Sequence, residues 1–598
     1  MTYESIKESY QIISRERGEE LSRLKKVIFQ VGSARLVVAI AAAVGCYLFW
    51  GNTQAVVLSL VIAAIIFLSL LTFHSRLFRK KRYCELQIEN AENELKALFY
   101  DFSAFDGAPE KIDAEHSYSL DLDLFGNRSF FQSINRSVTS FGKEALSSSV
   151  LYPQKDAGII KEKQEAIKEL SEKMKLMLHF RTIGQMSDID NLNVKDFAEV
   201  FSRSHSFYRK KLWTALVCIV PCLYLIYFLL YGFGVIEGIW FIPLYLLTLG
   251  ISFIPSKKIE HTLAIFDKRS AILDKYSKLF EIIENEAFES KILNQTQEKL
   301  KGHQPASKAI ARLCTFYSYL MMSSTYPLIF LTYPMLFWHI RYARLIEKWS
   351  ETHKKDIQIW FNAMGEFDAL VSQATFAYNH PDYIYPQMST SFVFEGKALG
   401  HPLINRDTCV RNDVNISKQG FFLVVTGANM AGKSTYLRTV GINHALANMG
   451  MPVCAERLIF YPGQLVTNLR TADSLADNES YFFAELKRLK MIIDRLQSGE
   501  ELFIILDEIL KGTNSEDKQR GSIALMKQLI GLKTNGIIAT HDLLLGSLES
   551  EYPENVKNYR FEADIKDDHL SFTYKIREGV AQNMNASFLM RKMGITGI

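Results

Sequence analysis

The sequence Phe421-Phe422-Leu423-Val424-Val425-Thr426-Gly427-Ala428-Asn429-Met430-Ala431-Gly432-Lys433-Ser434-Thr435 sets an apolar run directly before a Gly-x-x-x-x-Gly-Lys-Ser pattern. The run 421–425 predicts a buried strand, and the residues after Lys433 predict a helix. The two glycines let successive backbone N–H groups turn inward around an anion, and the helix adds its positive N-terminus. Gly427, Ala428, Asn429, Met430, Ala431, Gly432, Lys433, Ser434 and Thr435 are therefore expected to cradle nucleotide phosphates. Lys433 would neutralise the β- and γ-phosphates, and the Ser434 hydroxyl would ligate Mg²⁺. ATP with Mg²⁺ is the expected ligand. A glycine-rich turn with a chance lysine is the bland alternative, and the strand and helix flanks oppose it.

Further along, Leu502-Phe503-Ile504-Ile505-Leu506-Asp507-Glu508 reads as a buried parallel strand ending in two carboxylates. Ligands bind at that edge of open α/β sheets. Asp507 is expected to hold the Mg²⁺ hydration shell, and Glu508 to orient and polarise the attacking water. A third strand, 536–540, delivers His541 to the same edge. A lone histidine is usually structural, but here a γ-phosphate sensor is the better reading. An α/β ATPase domain at 401–598 follows, with Glu508, His541 and Lys433 as its catalytic residues.

These residues resemble the MutS family, whose ATPase domain is of the ABC class. The likeness rests on 426–435, on Leu506-Asp507-Glu508-Ile509-Leu510-Lys511-Gly512-Thr513 and on Ala539-Thr540-His541. The segment 473–486, with Ser480-Tyr481-Phe482-Phe483-Ala484-Glu485, looks like the family's signature. The resemblance implies that Ser480 reaches the ATP of a second subunit, hence a homodimer. Residues 574–579 and 586–594 look like the end of such a domain.

Upstream, 121–126, Asn135-Arg136, Thr139 and Gly142 resemble the start of the family's helical core, while 366–374, 383–386 and 400–402 resemble its junction with the ATPase. An all-α core over 121–400 is expected. The departures concern DNA. No Phe-x-Glu wedge occurs in 1–120, and no helix-turn-helix tail is expected after the ATPase. Ala428, Ala431 and Lys511 stand where the family usually has Pro, Gly and Arg, mild changes for phosphate binding.

Two pairs of apolar runs divide the rest: 36–50 with 55–73, and 212–236 with 238–254. A spanning helix needs about 20 apolar residues; 36–50 is short and 212–236 ample. Aromatic ends (Tyr47, Trp50, Trp213, Trp240) suit a bilayer interface better than a buried core hairpin. Basic residues lie outside both pairs: Lys25, Lys26, Arg35 and 76–82 around the first, 209–211 and 257–258 around the second. The positive-inside rule then puts both ends and the ATPase in the cytoplasm of an inner-membrane protein. The stretch 315–340 has no charged residue but several Ser, Thr and Pro. A fifth crossing would put the ATP site outside, so it is expected to pack against the core or touch the membrane surface.

The chain is thus expected to be multidomain: a first transmembrane hairpin in 1–120, a helical core over 121–400 interrupted by the second, and the ATPase. With 598 residues several cores are expected, and a net charge of +4 argues neither for nor against nucleic acid. The seven cysteines form no metal or redox motif. Membrane lipid is an expected partner. The leading reading is a membrane-anchored ATPase acting on or near double-stranded DNA, related to mismatch repair but without mismatch preference. The alternative is a membrane scaffold or remodelling ATPase that binds no DNA; an ABC transporter fits less, lacking Leu-Ser-Gly-Gly-Gln. Arg79, Lys80, Lys81 and Arg82 suit duplex phosphates and lipid headgroups alike.

Overall fold

The computed structural model describes residues 2–187, 211–255, 259, 270–428, 430–470, 481–511, 513–566 and 569–582. Its N-terminal part is mostly helical and its C-terminal part α/β. Helix α1 (Tyr3–Leu48) opens on a capping box between Thr2 and Ser5, and helix α2 (Thr53–Leu98) on an Asn52 cap. Both caps satisfy backbone donors that the first turn leaves unpaired. The turn between them needs a left-handed residue, which Gly51 supplies at φ 99°. Each helix is one unbroken rod of 46 residues, far longer than the apolar runs 36–50 and 55–73. Their apolar ends are exposed on nearly every side, whereas the far end of α2 is buried through Cys84, Leu86, Ala91 and Leu98.

Three described helices are long and apolar enough to cross a membrane: Tyr3–Leu48, Thr53–Leu98 and Lys211–Gly232. The partner of the third is shorter than expected, a turn at Gly238–Trp240 leading into helix Phe241–Phe253. The stretch 315–340 is not one helix. It runs from the end of helix Ala306–Ser323 through a short helix at Ile329–Thr332 into helix Trp338–Asn379. There it packs on the second apolar pair: the Tyr245 hydroxyl donates to the Phe330 carbonyl (3.0 Å), and His339 meets the Ser252 carbonyl (3.1 Å).

Trp338–Asn379 is the axis of the helical part, with buried residues on every side along its second half. A charged knot fixes α2 to its C-terminal end. Glu94, with no exposed surface, accepts from Arg136 Nε (2.6 Å), Arg181 (2.6 Å) and Asn379 Nδ2 (2.8 Å). Tyr10 of α1 donates to Asn379 Oδ1 (3.0 Å), so both rods meet there.

The C-terminal part holds two larger sheets. In the smaller, β1 (Gln387–Met388), β5 (Arg457–Phe460), β2 (Phe394–Leu399) and β3 (Asn412–Ile416) lie side by side in that order. The larger has the order β12 (Arg577–Glu578), β9 (Val556–Phe561), β4 (Phe422–Gly427), β8 (Asn535–Thr540), β7 (Leu502–Asp507), β6 (Gln464–Asn468). All but β12 run parallel. Strands β4 and β8 are fully buried and β7 nearly so, as their continuous apolar runs require of inner parallel strands. A hairpin of β10 (Ala563–Lys566) and β11 (His569–Phe572) stands apart.

Candidate functional site

Strands β4, β7 and β8 deliver their C-terminal ends to one edge of the large sheet, and the chemistry-bearing residues follow those ends. After β4 the chain turns through Gly427 (φ 149°), Met430 (φ 67°) and Gly432 (φ 107°) into helix Lys433–Asn448. A side chain at Gly427 would strike the Phe561 carbonyl, so close packing as well as φ demands glycine there. Asn429 lies outside the described residues. Ala428 and Met430 border the cavity, Met430 projecting into solvent, while Ala431 is buried beneath the loop.

Lys433 is buried at the mouth of the helix, and its ammonium donates back to the carbonyls of Gly427 (2.6 Å) and Ala428 (3.0 Å). Burial lowers its pKa to about 8, against the opposing pull of Asp507 and Glu508. His541, on the residue after β8, lies 3.3 Å from the same ammonium through Nε2. Burial and then the Lys433 charge hold its pKa below the usual imidazole value, so a neutral ring accepts from the lysine. The Ser434 hydroxyl donates to Asp507 Oδ2 at 2.6 Å. Thr435 lines the adjoining cavity of about 450 Å³ together with Lys433, Ser434, Leu399, Ile404, Val410 and Tyr574.

Glu508 sits at φ 50°, its backbone N–H donating to the Ala539 carbonyl (2.9 Å), which aims its carboxylate at the sheet edge. The His541 ring is 4.0 Å away. Sequence reasoning missed its closest cation. Lys518 donates to Glu508 Oε1 at 2.9 Å from the first turn of helix Ser515–Gly531, whose start Asn514 caps. Burial raises the Glu508 pKa, but the Lys518 hydrogen bond and charge outweigh it and the carboxyl ends below its ordinary value. The signal available was the Asn514 cap, which puts Lys518 one turn beyond the Glu508 loop.

Ser480 lies outside the described residues, so its expected reach to a second subunit has no geometry here. The helix that follows it, Tyr481–Gln497, is tied down twice. Glu485 is buried and accepts from the backbone N–H of Leu510 (2.6 Å) and Lys511 (3.1 Å), fixing the turn after Glu508. Arg488 donates to the carbonyls of Glu115 (3.0 Å), His116 (2.9 Å) and Ser117 (2.7 Å). From the same connector Asp121 accepts from Thr467 Oγ1 (2.5 Å) and from the N–H groups of Leu469 and Arg470 at the end of β6. The connector after α2 therefore grips both flanks of 471–480.

The residues fit a magnesium nucleotide: a hydroxyl and a carboxylate already adjacent, an ammonium held by two loop carbonyls and the His541 ring, and a loop with positive φ at Gly427, Met430 and Gly432, the kind of turn that lets backbone N–H groups face an anion.

Residues 423–592 match the model of MutS domain V. The chain is 30% identical over 214 residues to MutS protein homolog 4 of Homo sapiens, covering 34% of this chain and 22% of that protein. It is 30% identical over 241 residues to the DNA mismatch repair protein MutS of Thermotoga petrophila (40% of this chain, 30% of that one). To the DNA mismatch repair protein MutS of Aquifex pyrophilus it is 34% identical over 229 residues (37% and 26%). The matches thus span less than a third of each of these relatives' length. Strand order, loop, paired carboxylates and these likenesses agree, and residues 423–592 belong to the MutS domain V family.

Proposed function

We propose that the chain is a membrane-anchored ATPase that binds ATP with Mg²⁺ and hydrolyses it as a homodimer. The observation that carries the proposal is the convergence of Lys433, Ser434, Asp507, Glu508 and His541 at one sheet edge beside the cavity. The loop 427–435 forms a P-loop around the phosphates, and the apolar residues lining the cavity take the base. Ser434 and Asp507 hold Mg²⁺, which supplies charge neutralisation at the β- and γ-phosphates. Lys433 leaves its loop carbonyls for phosphate oxygens, Glu508 orients the attacking water, and His541 senses the γ-phosphate. Ser480 serves the partner's site.

The exposed apolar lengths of α1, α2 and Lys211–Gly232 support a bilayer as their surroundings, and the basic residues flanking the apolar runs favour an ATPase in the cytoplasm. The proposed units are 1–120, the helical core 121–400 and the ATPase 401–598. The names of the relatives favour a role on or near double-stranded DNA. A scaffold or remodelling ATPase without DNA is the second reading, favoured by the apolar hairpin that occupies the N-terminal region. Lys433→Ala should abolish nucleotide binding, whereas Glu508→Gln should bind ATP and retain it unhydrolysed. Equal loss of binding in both variants would overturn the assignment.

A further inference from the structure

Between Glu20 and Glu85 the chain contains no Asp or Glu, yet nine Lys and Arg residues fall in that interval. In sequence they are scattered around two apolar runs. The antiparallel register of α1 and α2 gathers them. A methyl on Gly45 would touch the Ser59 hydroxyl, Arg35 meets His74 (2.8 Å), and Glu20 meets Lys80 (3.0 Å). Lys25 and Lys26, which lie ten residues before the apolar run at Leu36, thus come about level with residues 76–82 of α2. The uncharged length of α1 reaches back to Val27, interrupted only by Arg35, which the His74 contact and the Phe67 ring (5.0 Å) accommodate.

The result is one apolar zone above one basic band. Residues 55–73 rise about 28 Å, close to the ~30 Å of a hydrocarbon core. The cations of 76–82 occupy about 9 Å directly below, comparable to a headgroup layer of about 5–8 Å per face. Lys80 and Lys81 are paired with Glu20 and Glu85. Arg23, Lys25, Lys26, Arg76 and Arg79 are exposed and make no ion pair among the described residues. Five cations left without acids at headgroup depth are complementary to lipid phosphates rather than to phosphates further from the bilayer.

We infer, given the bilayer placement of α1 and α2 proposed above, that this band is a binding surface for anionic phospholipid headgroups. The hairpin would then select its lipid shell as well as anchor the chain. Two helices contribute to the surface, so neither basic cluster forms it alone.

The test uses the full-length chain in nanodiscs of phosphatidylcholine and phosphatidylglycerol, with spin-labelled lipids reporting the motionally restricted shell. Phosphatidylglycerol should be enriched about fivefold per contact, ~1 kcal/mol, and the enrichment should shrink in about 0.5 M salt. Arg23→Gln, Lys25→Gln, Lys26→Gln, Arg76→Gln and Arg79→Gln together should bring it to parity. Arg76→Gln with Arg79→Gln, which leaves α1 intact, guards against a folding failure and should lose part of it. Equal occupancy by the two lipids in the unmodified chain overturns the inference, as does selectivity that survives the five substitutions. Displacement of phosphatidylglycerol by added duplex DNA would reassign the band to nucleic acid. Extraction of the unmodified chain from membranes by alkaline carbonate would instead refute the bilayer placement itself.

Discussion

Glu94→Gln should loosen α1 and α2 from the helical core. The substitution keeps the shape of the side chain and removes the charge that faces Arg136 and Arg181, all three being almost wholly buried. Burial raises the Glu94 pKa, but the attraction of the two guanidiniums outweighs it and brings the carboxyl down from 4.5 to about 2. A depressed acid contributes stability that is present above its unfolded pKa and is lost as pH falls through the folded one. Here the window runs from about pH 4.5 to 2, and the contribution is ~3 kcal/mol. Burial also pulls the Arg136 pKa down, a desolvation cost that trims the figure. Removing one partner of a buried pair nonetheless costs about 3–5 kcal/mol, because the other charge stays buried. Denaturant unfolding in detergent should therefore show a loss of ~3 kcal/mol at pH 7 that vanishes as both proteins approach pH 2. A loss below about 1 kcal/mol, or one unchanged across that window, would refute the reasoning.

Lys518→Met should leave the KM for ATP nearly unchanged and raise kcat by up to about tenfold, ~1.4 kcal/mol, because a carboxylate freed of its ammonium is a better base; steady-state kinetics with Lys518→Arg as control would check this. Mixing Lys433→Ala chains with Ser480→Arg chains should restore one intact site per heterodimer, measured as recovered hydrolysis. No recovery with heterodimers present would mean that each site is complete within one chain. In competition binding at fixed salt, a G·T duplex should be preferred over homoduplex by less than about tenfold. Phosphate contacts alone do not read pairing, and unstacking costs a few kcal/mol that a wedge must offset.

The site was legible where its chemistry is local. Gly427 to Thr435, Asp507 with Glu508, and His541 each sit at the end of an apolar run, so strand and ligand group are read in one window. Lys518 was not, because only the Asn514 cap and the path of the intervening loop return it to Glu508. The Glu94 knot joins residues 42, 87 and 285 positions apart, and no periodicity records such pairings. In sequence Arg35 marks the edge of the first apolar run, because a charge ends an apolar window; in the fold the His74 contact lets α1 carry that charge without ending the zone. The stretch 315–340 was legible as a packed segment from its Ser, Thr and Pro content, but composition does not name its neighbour, the second apolar pair.

The unbroken length of α1 and α2 has a mechanical consequence. From Glu94 to the Gly51 turn, α2 rises through about 60 Å without a break in its hydrogen bonding. Anchored at its base by Glu94 and braced by α1, the pair has the geometry of an oar pivoted at Asn379, where the core axis leads into the sheets. A rotation of about 5° at that fulcrum sweeps the distal turn through about 5 Å, on the order of one helical turn. With the hairpin in a bilayer as proposed, motion too small to rearrange the core would be felt at the far face of that bilayer, and lateral pressure on the hairpin would return along the same rod to the connector that holds Leu469, Arg470 and Arg488.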